Sequence, residues 1–107
     1  MKKLTRDFKQ TIQERAQKDK EFAVALLNEA TYLFLNGEPE TARLILRDLV
    51  NATVGFEELA KVTAKPSKSL HRMLSARGNP TMDNLTTILQ VLRKKLGVSI
   101  NVQVIPG

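Results

Sequence analysis

The sequence predicts an all-α domain of five helices with a short C-terminal β-strand. Three observations point there. Apolar residues recur at helical spacing through most of the chain. Glycines, prolines and short polar residues fall where helices begin and end. Only the last ten residues change to a period of two. The length of 107 residues suits a single domain, 1–107, with room for one ordinary core. Within it we distinguish N-terminal helices (1–54), a helix–turn–helix region (55–97) and a C-terminal strand or tail (98–107).

The elements follow in chain order. Residues 5–18 place Phe8, Ile12 and Ala16 four apart on one stripe. Asp19 suits an N-cap, since its carboxylate can accept from free backbone amides. Beyond it Phe22, Leu26, Ala30 and Leu33 recur at helical spacing, until Asn36-Gly37, where glycine tolerates the left-handed conformation past a helix end. Pro39 fits the first turn of the next helix, where its missing N–H is no loss. Ala42, Ile45, Leu46, Leu49 and Val50 form that helix's buried stripe, and Gly55 closes it. Phe56, Leu59, Ala60 and Thr63 then mark a helix of two turns. Pro66 and Ser67 open another, expected to run through Ser75. Arg77-Gly78-Asn79-Pro80 has loop chemistry. Thr81 caps the last helix, whose stripe is Leu85, Ile88, Leu89, Leu92 and Leu96. Arg93, Lys94 and Lys95 meet the negative end of its dipole before Gly97 stops it. In the tail Val98, Ile100, Val102 and Val104 alternate with Ser99, Asn101 and Gln103. A lone strand cannot satisfy its backbone, so this one is expected to pair with its copy in a second chain, the alternative being a disordered tail.

Composition narrows the function. With no cysteine and one histidine, a disulfide frame, a zinc finger, thiol catalysis and a His-rich metal site are not expected. No apolar run approaches the roughly 18–20 residues of a membrane span, and the charged start does not read as a signal peptide. A cytoplasmic protein with no membrane partner is the expectation. No nucleophile–base pair, metal-spaced ligand set or phosphate loop stands out, so neither an enzyme nor a cofactor is expected.

The charge is +6 overall and unevenly spread. Residues 1–20 carry net +4, residues 21–55 net −3, residues 56–97 net +5, and residues 98–107 no charge. The stretch 61–82 holds Lys61, Lys65, Lys68, Arg72 and Arg77 and no carboxylate. Such a run is either a solvated face or a surface for a polyanion. Geometry bears on the choice. The turn Thr63-Ala64-Lys65-Pro66 separates two short helices, as in a helix–turn–helix unit. At about 100° per residue, Leu70, Met73 and Leu74 cluster on one side of the second helix. Lys68, Arg72 and Ser75 fall opposite them, flanked by His71 and Ser69. Such a helix can enter a major groove, where arginine pairs with guanine and lysine or serine reaches bases or phosphates.

Phe56-Glu57-Glu58-Leu59-Ala60 through Gly78-Asn79-Pro80-Thr81-Met82-Asp83-Asn84-Leu85 resembles the Cro/phage-repressor-like helix-turn-helix. With Pro66-Ser67-Lys68-Ser69-Leu70-His71-Arg72-Met73-Leu74-Ser75, it is most similar to the short HigA-type antidote (antitoxin) proteins of bacterial toxin–antitoxin modules. The resemblance covers about residues 55–97. It implies a DNA-binding repressor whose partners are a palindromic double-stranded operator, a second copy of the chain and a small basic ribonuclease-like toxin. The expected DNA contacts are Ser67, Lys68, Ser69, His71, Arg72 and Ser75, with Lys61, Lys65 and Arg77 around them. His71 also has a plain reading as a surface histidine. Two positions depart from the family pattern. Phe56 stands where glutamine is frequent, and Ala64 where glycine is usual. A left-handed alanine costs roughly 1 kcal/mol, which favours a turn built differently here. The alternatives are a solitary repressor without a toxin, and an interaction module that docks a basic partner through residues 21–55.

Overall fold

The computed structural model of the chain describes residues 11–107. Phe8 and the basic side chains of Lys2, Lys3, Arg6 and Lys9 lie outside the described residues. Helix α1 covers 11–18, and Asp19 ends it and begins the next. Its carboxylate accepts from the Phe22 amide at 3.2 Å, satisfying one of the free donors of α2, Lys20–Leu35. Gly37, at φ +84°, turns the chain, and the Glu38 amide reaches back to the Leu33 carbonyl at 2.8 Å. Pro39 then occupies the first turn of α3, Pro39–Ala52. Helix α4 spans Phe56–Thr63, α5 Ser67–Met73 and α6 Met82–Leu96. Thr81 caps α6 by accepting from the Asn84 amide at 3.1 Å. At its other end the Val98 and Gly97 amides donate to the Arg93 and Lys94 carbonyls, a Schellman pattern with Gly97 left-handed.

The described residues therefore hold six helices rather than five, and no strand. Six helical stretches are already marked in the sequence, parted at Asp19, Asn36-Gly37, Gly55, residues 63–66 and residues 77–80, so the expected five undercounts its own caps. The tail has alternation but no ladder, because no second strand lies within the described chain to receive its amides and carbonyls. Val98 and Ile100 instead fold partly against the core, while Val102, Val104 and Ile105 stand 57%, 93% and 68% exposed.

The core is apolar throughout, and no polar or charged residue is buried among those described. Helix α2 packs most extensively on α3 and touches α6, while α4 packs on α5, α6 and α3. Leu46, Leu49, Val50, Leu59, Leu70, Leu74, Ile88 and Leu92 are fully buried where these helices meet. Each contributes about 1.5–3 kcal/mol of transfer free energy. On α2 the buried residues are Ala23, Leu27, Ala30 and Leu33, with the expected Phe22 and Leu26 only partly covered. A helix packed on more than one neighbour needs a wider stripe than one period marks.

The turn between α4 and α5 is the left-handed one. Ala64 sits at φ 56°, ψ 36°, so the expectation of a differently built turn fails. The Lys65 amide donates to the Ala60 carbonyl at 3.2 Å, closing α4 in the way a glycine would. Burial of Leu59 and Leu70 on either side holds alanine in a conformation it disfavours. Ala64→Gly should raise unfolding stability by about 1 kcal/mol. Urea denaturation measures this; an unchanged or lower midpoint would show that no strain resides at residue 64.

Candidate nucleic-acid interface

Helix α5 has only seven residues, too few to be stable alone. Neighbours fix it on every side that does not face solvent. Leu70 and Leu74 are fully buried and Met73 is partly so, which turns Lys68, His71 and Arg72 outward. Lys68 and Arg72 are one turn apart on the exposed face, with half-buried Ser69 beside them and half-buried Ser67 at the helix start. Pro66 precedes the helix with extended backbone, and no side chain caps that end. Around it, Lys61 and Arg77 are exposed and Lys65 is half-buried. Among the described residues, none of Lys61, Lys65, Lys68, Arg72 and Arg77 pairs with a carboxylate. A shallow depression lined by Ser69, Arg72, Met73 and Asn79 opens on the same side.

Two of the expected residues have additional structural partners. The His71 ring stacks on Phe56, centroids 3.8 Å apart and planes inclined by 19°. Phe56, buried at the start of α4, thus supports His71 from beneath. Such a stack is worth about 0.5–1.5 kcal/mol beyond the area it buries. It leaves His71 exposed while restricting its ring. Ser75 lies past the end of α5 rather than on it, because Leu74 already leaves helical geometry as the cap. The Ser75 hydroxyl donates to the Arg72 carbonyl at 2.7 Å. Its hydrogen is committed to the helix end, and only its acceptor lone pairs remain for an external donor.

Residues outside the expected set hold α5 in place. Arg43, on α3, donates from Nε to the Ser75 carbonyl at 3.0 Å and from Nη2 to the Ala76 carbonyl at 2.7 Å. The sequence signal for it is slight: an arginine at the edge of a buried stripe, in a segment with only two basic residues. Gly78 is buried against the last turn of α5, where a Cβ would run into the Met73 and Arg72 carbonyls. Its amide donates to the Ser75 carbonyl at 3.1 Å. Helix, loop and clamp are thereby locked together.

Gly78→Ala should displace the loop from α5 and cost about 1–3 kcal/mol, because backbone atoms cannot give way as a flexible side chain can. Thermal unfolding reads the loss; a variant as stable as the parent would mean the loop can shift freely. No family model matches the chain, and no curated protein or solved structure matches it either.

Proposed function

We propose that the chain is a sequence-specific DNA-binding transcriptional regulator built on a Cro/phage-repressor-like helix–turn–helix, acting as the antitoxin and autorepressor of a toxin–antitoxin pair. The observation that carries the DNA-binding reading is the outer face of α5. It presents Lys68 and Arg72 on a helix whose opposite side is buried through Leu70 and Leu74, with no carboxylate paired to either cation among the described residues. Unpaired cations on a helix of this width suit the major groove, where arginine reads guanine and lysine reaches bases or phosphates. Lys61, Lys65 and Arg77 supply phosphate contacts beside it. The toxin half of the proposal rests on the HigA-type resemblance and on the net −3 of residues 21–55, where Tyr32 and Leu35 are also exposed. A basic, ribonuclease-like toxin would find complementary charge there, which speeds association and sets specificity.

The regulator acts as a homodimer on a palindromic operator. One helix reaches few base pairs, and a two-fold pair reads two half-sites about 34 Å apart. The C-terminal segment is the proposed seam. It has alternating apolar residues, no charge and no strand partner among the described residues. A groove beside it, lined by Leu89, Arg93 and Ile100, lets the seam continue onto α6.

A duplex selected by the protein from a random-sequence pool is the probe for DNA binding. In band shifts at several salt concentrations, affinity should fall steeply as salt rises while the preference over bulk DNA remains. Arg72→Ala should cost about 1–3 kcal/mol and relax base choice at one position, while Lys61→Ala should weaken all sequences alike. Equal affinity of the Arg72→Ala variant for the selected duplex would remove α5 from the recognition surface. Truncation after Gly97 should give a monomer in sedimentation at micromolar concentration, with weakened binding to the selected duplex. A truncated chain that stays dimeric would place the seam elsewhere.

A further inference from the structure

Among the described residues, one side chain hydrogen-bonds the turn that follows α5 to the N-terminal helices. Residues 75–78 are locked to the last turn of α5: the Ser75 amide and hydroxyl both donate to the Arg72 carbonyl, and Gly78 packs on the Arg72 and Met73 carbonyls. Helix α5 otherwise packs chiefly on α4. The reach from the N-terminal side is the Arg43 guanidinium, forked onto the carbonyls of Ser75 and Ala76. These are charge-assisted hydrogen bonds, and their planar geometry fixes two successive carbonyls at once. They also bring a positive charge to the negative end of the α5 dipole. No described carboxylate pairs with Arg43, so the carbonyls are its counterpart. The two clamped residues stand between Arg72 and Arg77, the exposed cations at the end of α5 and in the loop after it.

We propose that Arg43 is a positioning residue of the DNA-reading surface: without touching DNA, it holds the 75–76 carbonyls so that Arg72 and Arg77 face the duplex in a fixed register. This rests on the DNA-binding reading above. It separates Arg43 from the phosphate-contacting cations, because its side chain is spent on backbone carbonyls within the protein. It also makes the reading surface depend on α3, which carries none of the residues expected to meet DNA. A lysine in its place retains the charge and loses the fork. A glutamine loses both.

The test uses the full chain, the duplex selected from a random pool, and the variants Arg43→Gln and Arg43→Lys. Arg43→Gln should bind the selected duplex about tenfold more weakly. In an Arg77→Ala background, where the Arg77 phosphate contact is already gone, adding Arg43→Gln should leave the slope of log affinity against log salt unchanged. Arg43→Lys should fall between the parent and Arg43→Gln, and should decide the matter if the glutamine variant does not fold. In both, backbone amide resonances should shift within 75–79 and persist elsewhere. A salt slope reduced further by Arg43→Gln in the Arg77→Ala background would make Arg43 itself a phosphate contact and overturn the proposal. Unchanged affinity with altered stability would leave Arg43 a structural strut and overturn it too. Failure of the unaltered protein to prefer any duplex over bulk DNA would refute the DNA-binding reading itself, and this role with it.

Discussion

A helix of seven residues cannot hold its own shape in water, because the cost of its first turn outweighs the few hydrogen bonds that follow. The arrangement around α5 answers that constraint. Leu70 and Leu74 anchor one side in the core, and the left-handed turn at Ala64 sets the angle at which the helix leaves α4. Phe56 supports its outer ring, and Gly78 and Arg43 secure its end. Each support lies on the inner side or at an end. The outer side is left with charged and polar groups held in place and free to meet a partner.

The same division extends over the molecule. No polar or charged residue is buried among those described, so the charge these residues carry lies outside the core. Charge is segregated along the chain, net −3 over residues 21–55 and net +5 over residues 56–97. The two regions are not independent. Arg43, one of two basic residues in residues 21–55, donates to carbonyls at the end of α5 and pairs with no described carboxylate. Stability and presentation of the basic face are therefore linked through a residue that belongs to neither the core nor the exposed face.

What the sequence made legible was local. The caps at Asp19 and Thr81, the proline opening α3 and the glycines after α2, α3 and α6 act within four or five residues, and all are where the residue types indicate. The outward set Lys68, His71 and Arg72 was legible for the same reason, since helical geometry orders neighbours. Features that depend on distant residues were not. The Arg43 fork spans more than thirty positions. The Phe56–His71 stack joins two helices. Ala64 adopts a conformation its own propensity disfavours, because packing of α4 and α5 overrides it. Alternation in the tail signalled which side is apolar but could not supply the second strand a ladder requires.

The claim at the centre of this account is that α5 and its rim form the DNA-reading surface. The most direct measurement is a titration of isotope-labelled protein with the selected duplex, followed by amide resonances. The account predicts saturable shifts at residues 67–72, at Lys65 and at Arg77, with α2 and the exposed side of α3 unmoved. Shifts centred on residues 21–55, or no saturable shift on α5, would contradict it.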